Sequence, residues 1–373
     1  MKLLCPGPTS VNEEVIKAMA NCKTNPDLDP EYKIFHRNME KKISKLLNTK
    51  ATSFIMLGEG ILGLEASIVS LMEKGERVLV IYNGFFGEGF ADYVRFYGGE
   101  AVKYEDDFRH GINLEKLENF LEKDHDFKIA TMVHCETPSG LTNDIEAICT
   151  LLKKYNILTI VDSVSAMGGE KINFDSSNVD CLLGGSQKCI SAPAGLTLVT
   201  LSESAKEKIE NRKEEIPSYY MNFKNHYDCS FAPFPYTMNE NLVYALDKAL
   251  DITLESDFAN LHEKYASSTR EVFTKAGFEL YPKDSFSNTV TAVLVPEEHN
   301  SSEIELALQK KGIIIGKGVG PLKENIIRIG HMGQNINYEN FEELYSSLDE
   351  VFEELNIKTN ESLLELFKKT NVK

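Results

Sequence analysis

The sequence predicts an α/β protein with a large, mostly parallel sheet and a smaller α/β unit towards its C-terminus. Three observations carry this. Between about residues 50 and 200, short apolar runs alternate with amphipathic stretches, the pattern of strands covered by helices on both faces. After residue 288 a shorter strand–helix–strand–helix series follows. The chain has 373 residues, too many for one simple core and suited to two domains.

The opening "MKLLCPGPTS" reads as part of an extended arm over residues 1–15. The predicted strands of the large domain (16–250) are "FIML" (54–57), "RVLVIY" (77–82), "IATMVH" (129–134), "ILTIVD" (157–162), "DCLLGG" (180–185) and "LTLVTL" (196–201). Helical patterns lie between most of them. In "DIEAICTLLKKYN", Asp144 stands near the start and the lysines near the end, as the helix dipole favours. From Tyr220 to Asn239 the text is rich in aromatics, Pro and Asn and reads as an irregular excursion. One long helical pattern follows over 239–276. The small domain (251–373) then shows "NTVTAVLVP" (288–296), the helix "SEIELALQKKG" (302–312), "NIIRIGHMG" (325–333) and a helix from about 338 to 355.

Composition narrows the function classes. Hydrophobic residues make up 42% and charged residues 26%, and the net charge is −17. An acidic surface makes nucleic acid and anionic membranes poor partners. A cationic pocket for a small anion remains compatible with it. Seven cysteines are dispersed without a C-x-x-C pair, which suits free thiols in a reducing compartment. With no signal-peptide pattern and no apolar run near the roughly 18 residues of a membrane span, the cytoplasm is the expected location.

"SFIMLGEGILGLEAS" holds a literal G-x-G-x-x-G at Gly58, Gly60 and Gly63. A dinucleotide site also requires an acidic residue about 20 positions on, at the end of the next strand. That strand ends in Tyr82 and Asn83, so the NAD reading fails. What remains is a helix N-terminus whose backbone N–H groups, at Gly60 and Ile61, can hold a phosphate.

Three charges stand alone in long uncharged segments. Lys188 is the only one between Cys181 and Ser202, Asp162 the only one from Asn156 to Gly169, and Arg328 stands between Glu324 and Glu339. Each has a plain structural reading, as a surface lysine, a turn or capping aspartate, and an edge-strand arginine. Each also has a chemical one: an amine nucleophile, an anion at a strand's carboxyl end, and a bidentate carboxylate clamp. Together they suit pyridoxal phosphate chemistry, which needs a Schiff-base lysine, an acid at the pyridine nitrogen and a phosphate cradle.

The motifs "PGPT", "GEGILGLEA", "YNGFFGEGF", "HCETPSGL", "VDSVSAMGG", "GSQKCISAPAGL" and "IIRIGHMG" occur in the order found in the class V aminotransferases of fold type I. The chain resembles that family over most of its length, in particular the alanine–glyoxylate and serine–pyruvate group. The resemblance implies a fold type I transferase using pyridoxal phosphate for ping-pong transfer from a small amino acid to a 2-oxo acid. By position, it makes Lys188 the Schiff-base lysine and Asp162 the partner of the pyridinium nitrogen. Phe86 would stack on the ring where the family often has Trp, Thr137 would supply a hydroxyl, and Gln187, Gly60 and Ile61 would hold the phosphate. Arg328 would bind the substrate carboxylate.

The family is typically a homodimer whose neighbouring subunit contributes a Tyr and a Thr to the phosphate. Thr237 matches the Thr, while Phe234 stands at the Tyr position with Tyr236 nearby. Glu59 falls where related enzymes often place a small hydroxyl residue. A carboxylate beside a phosphate is unfavourable, so its side chain is expected to point away. A 2-aminoethylphosphonate–pyruvate transaminase is the alternative within the same chemistry. A desulfurase or lyase of this fold would usually carry His where Gln187 stands and a catalytic Cys beyond Cys229, where this chain has none.

Overall fold

A computed structural model describes residues 1–21, 24–228, 233–370 and 372. The apolar runs become strands buried on both faces. In chain order the strands are β1 (Lys2–Leu4), β2 (Thr52–Leu57), β3 (Arg77–Tyr82), β4 (Glu100–Glu105), β5 (Ile129–Val133), β6 (Cys135–Glu136), β7 (Leu141–Thr142), β8 (Leu158–Asp162), β9 (Cys181–Gly185), β10 (Leu196–Leu201), β11 (Val290–Leu294), β12 (Ile313–Lys317) and β13 (Ile326–Gly330).

Seven of them form the larger sheet, ordered β2-β10-β9-β8-β5-β3-β4. β10 runs antiparallel to both neighbours, and the remaining ladders are parallel. Every residue of β5, β9 and β10 is buried, as a sheet covered by helices requires. One face packs against helices Pro30–Leu46, Ile145–Lys154 and Glu240–Glu255, the other against Gly60–Leu71 and Phe85–Phe96. β4 was not among the predicted runs. It is the sheet's edge, where "EAVKYE" exposes Glu100, Lys103 and Glu105 and buries only Tyr104.

The second sheet has the order β1-β12-β13-β11. Helices Phe258–Lys275, Ser301–Lys310, Tyr338–Glu354 and Leu363–Lys368 cover it, burying Phe273, Phe341, Tyr345 and Phe352 with Leu4 of β1. The start of the predicted arm is thus a strand of this sheet, with Lys2 opposite Ile313 in a parallel ladder. The long helical pattern resolves into two helices, Glu240–Glu255 and Phe258–Lys275, because Ser256 turns extended at φ −110°. The aromatic excursion contains a helix, Phe223–Tyr227; its Cys229 lies outside the described residues. Among the described residues no helix is long and apolar enough to cross a membrane.

After β3 the chain steps outward to β4 and returns to β3's other side as β5. Strand order reverses there, and in open α/β sheets ligands bind at such a point, in the crevice outside the carboxyl ends of the strands.

Candidate active site

β9 ends at Gly185, and Lys188 follows in the reversal to β10. The reversal is held by Ser186 Oγ donating to Pro193 O (2.7 Å) and Ala192 N–H donating to Ser186 O (2.9 Å). Lys188 Nζ donates to Pro6 O at 2.7 Å. Thr9 bridges back from the same N-terminal stretch, its hydroxyl to Lys188 O (3.0 Å) and its N–H to Gln187 O (3.1 Å). Gly7 between them has φ +82°, and a Cβ there would meet Lys188 Cδ at 2.5 Å. Only glycine lets the N-terminal stretch lie on the lysine. Burial lowers the pKa of Lys188, with Arg328 adding to that and Asp162 opposing it.

Asp162 closes β8, buried, with Oδ1 accepting from Val164 N–H at 2.9 Å. Burial raises its carboxyl to about 6, against the pull of the Val164 bond and Lys188. Arg328, on β13 of the second sheet, reaches across to the first. Its Nε donates to Lys317 O (2.8 Å) and its Nη1 to Thr137 O (3.0 Å). Burial lowers it to about 10. These two backbone contacts fix the guanidinium plane and leave the other N–H groups for a ligand. Thr137 is buried and its hydroxyl pairs with that of Ser165.

Phe86 lies in the first turn of helix Phe85–Phe96, half-buried. That helix has no side-chain cap of its own. Instead Glu136 lies across its N-terminus, accepting from Phe86 N–H (3.2 Å) and Gly87 N–H (2.6 Å). Glu136 is fully buried, and burial raises its carboxyl to about 7. Neither Glu136 nor Ser165 was a predicted site residue. Glu136 meets the same criterion as the three lone charges, standing alone between Lys128 and Asp144. Ser165, one small residue in "DSVSA", gives no such signal.

At the other end of the crevice, helix Gly60–Leu71 begins directly after β2. Gly60 packs so closely on the loop after Asp162 that a Cβ would meet Val164 Cγ2 at 2.7 Å. Glu59 is the residue expected to point away from a phosphate held here. It is the N-cap of this helix, its Oε1 accepting from Ile61 N–H and its Oε2 from Gln187 Nε2, both at 3.2 Å. Unpaired N–H groups and the positive end of the helix dipole draw a carboxylate back onto the terminus. The side chain therefore engages both Ile61 and Gln187, two of the groups predicted to hold a phosphate.

Tyr236 stacks on Tyr220 (4.5 Å between centroids), and its hydroxyl accepts from Leu57 N–H at 3.4 Å, at the edge of this loop. Thr237 stands apart from the chain's own crevice, exposed and donating to Asp27 Oδ2 at 2.6 Å. Phe234 is buried against Tyr32 and His36.

The aminotransferase class-V family model matches residues 3–323. The chain is a class V aminotransferase. An uncharacterised aminotransferase of Methanocaldococcus jannaschii is 36% identical over 341 residues, 89% of this chain and 87% of that protein. Serine–glyoxylate aminotransferase of Arabidopsis thaliana is 31% identical over 347 residues, covering 90% and 86%. The crystal structure of pyridoxamine–pyruvate aminotransferase from Mesorhizobium loti superposes with a TM-score of 0.92 at 25% identity, covering 99% of this chain and 97% of that one. The aminotransferase therefore has the fold type I architecture, and pyridoxal phosphate is its family cofactor.

The ring end of the crevice fits that cofactor. A buried lysine of lowered pKa, a buried aspartate whose charge acts on it and a buried hydroxyl pair are the groups its ring calls for. The phosphate end supplies a helix N-terminus of the right form, but a phosphate reaches Ile61 N–H only by displacing Glu59.

Proposed function

We propose that this aminotransferase transfers the amino group of a small amino acid, alanine or serine, to glyoxylate or pyruvate by a ping-pong cycle. The observation that carries the reading is that Lys188, after β9, lies close enough to Asp162 at the end of β8 and to Arg328 of β13 for both charges to act on it. When bound, pyridoxal phosphate supplies the electron sink for bond breaking at the substrate Cα.

The protein's residues do the rest. Lowered basicity keeps a larger fraction of Lys188 neutral, so its Nζ would hold the cofactor and, once the substrate amine takes its place, would carry the Cα proton. Asp162 would pair with the protonated ring nitrogen, a cation that would in turn favour its ionised form. Arg328 clamps the substrate carboxylate with the N–H groups its backbone contacts leave over. Phe86 would cover the ring face, and Thr137, its hydroxyl paired with that of Ser165, would meet the ring. Gly60, Ile61 and Gln187 would line the phosphate end, the last two once Glu59 gives way.

Tyr236 and Thr237 serve the neighbouring subunit's phosphate in a homodimer. Exposed Ile61, Phe85, Phe96, Tyr219 and Tyr220 support that assembly, since large apolar side chains gathered at a surface mark interfaces. The arm (1–15), large domain (16–250) and small domain (251–373) form one protomer, with Arg328 the small domain's contribution to the site. A cytoplasmic location is supported by the unpaired state of Cys5, Cys135, Cys149, Cys181 and Cys189.

The test is to expose the yellow, cofactor-loaded protein separately to alanine, serine and 2-aminoethylphosphonate and follow loss of the visible band. Bleaching by alanine or serine supports the reading. Bleaching by the phosphonate alone would transfer the chain to the other transaminase class.

A further inference from the structure

A phosphate dianion carries acceptors only and needs donors and positive charge around it. Beside the helix N-terminus, the side chains at this end of the crevice offer the reverse. Glu59 brings two carboxylate oxygens, and both its partners, Ile61 N–H and Gln187 Nε2, are neutral donors already in use. Gln187 is 6% exposed, and its Oε1 is buried without a hydrogen-bond partner. The amide's orientation is set by Glu59, because turning it over would bring two acceptors together. A buried acceptor left unpaired costs free energy and calls for a donor.

The wider field has the same sign. After burial, the Tyr93 phenol next to this end is pushed up by Glu65, Asp162, Glu59 and Asp92, all carboxylates. Lys188 and Arg328, the cations of the site, lie at the ring end.

A hydroxymethyl group is the substituent that matches. Its O–H donates to a carboxylate or an amide oxygen, it is neutral, and it leaves the Glu59–Ile61 cap in place. We propose that this pocket accepts the phosphate-free vitamers, pyridoxamine and pyridoxal, as exchangeable substrates, with Glu59 and Gln187 recognising the 5′-hydroxyl. The proposal rests on the aminotransferase reading of Lys188, Asp162 and Arg328. Solvent reaches Glu59, so its charge biases the choice between hydroxyl and phosphate without forbidding the latter.

The transfer balances without any added oxidant. Pyridoxamine loses its C4′ amine and two electrons, becoming the C4′ aldehyde of pyridoxal. The 2-oxo acid takes that amine and those electrons at C2, becoming the amino acid. The carbonyl oxygen lost from the oxo acid as water is matched by the water oxygen gained at C4′. Without a phosphate anchor the product aldehyde is free to leave, and the vitamer turns over as a substrate.

The experiment uses the full-length protein freed of vitamer by dialysis. Pyridoxal and pyridoxal phosphate are titrated separately by absorbance, for the parent and for Glu59→Ser. Serine is itself a good N-cap, and a thermal melt confirms that the variant folds. The parent is expected to bind pyridoxal at least as tightly as pyridoxal phosphate, and to convert pyridoxamine plus pyruvate to pyridoxal plus alanine with no phosphorylated vitamer present. Glu59→Ser should shift the binding ratio at least about tenfold towards the phosphate. A parent that binds pyridoxal phosphate far more tightly and leaves pyridoxamine unconverted would overturn the proposal while sparing the aminotransferase reading. If neither vitamer binds, both fall.

Discussion

The two ends of the crevice hold opposite balances of charge. At the ring end Lys188, from the β9–β10 reversal, is acted on by a buried carboxylate, Asp162, and by a second cation, Arg328 of β13. Each is buried enough to have its pKa moved towards the neutral form. At the phosphate end the only charged side chain on the loop, Glu59, is exposed and spends itself on its own helix. Burial makes the first end reactive, because desolvation alters what each group can do with a proton. At the second end hydrogen-bond direction is what bears on selectivity, because the Glu59 carboxylate and Gln187 Oε1 are acceptors.

The largest expected effect breaks the ring end outright. Lys188→Ala should lower turnover by at least about 10³-fold, as loss of a covalent nucleophile does, and borohydride should no longer fix the cofactor to the chain. Ordinary turnover in that variant would leave the two ends with no chemical distinction. Arg328→Lys keeps the charge but loses the planar fork held by Lys317 O and Thr137 O. KM for carboxylate substrates should rise by about 10–100-fold, whereas cofactor binding stays level. An unchanged KM would remove the clamp.

Gly60→Ala probes the close approach at the other end. A Cβ 2.7 Å from Val164 should cost about 1–3 kcal/mol as overpacking, read as a lower midpoint in urea. A variant as stable as the parent would show that the loop yields.

Glu136→Gln gives the smallest effect, a change in how stability depends on pH. Burial raises the folded carboxyl from 4.5 to about 7. Between those values the folded chain keeps a proton that the unfolded chain has released. Stability therefore falls as pH rises through that window and levels off above it. Asp162, raised from 3.8 to about 6, pulls in the same direction in parent and variant alike. The fall in melting temperature from pH 5 to pH 8 should be shallower in Glu136→Gln; equal slopes would mean that Glu136 does not carry this proton.

Much of the frame is legible in local sequence. The six apolar runs of the large domain are strands because a doubly covered sheet excludes charge from them. β4 escaped because an edge strand tolerates charge on its open side. β12 escaped because "IIIGK" continues directly from a helical pattern. Isolation of a charge found Lys188, Asp162 and Arg328, and it applies equally to Glu136 and to Glu59, which stands alone between Lys50 and Glu65. It has no hold on Ser165 or on the Pro6–Thr9 stretch, whose contacts join distant parts of the chain.

By itself, then, the sequence determined the fold class and the identity of the charged groups, since hydrophobic periodicity and charge isolation are properties of neighbours along the chain. Only the tertiary structure decided that β1 joins the second sheet, that Arg328 crosses to Thr137, and that Glu59 turns back on Ile61 and Gln187. Those outcomes depend on which donors a helix terminus leaves unpaired and which side chains lie within 3 Å or so of them, and such matches are made across space.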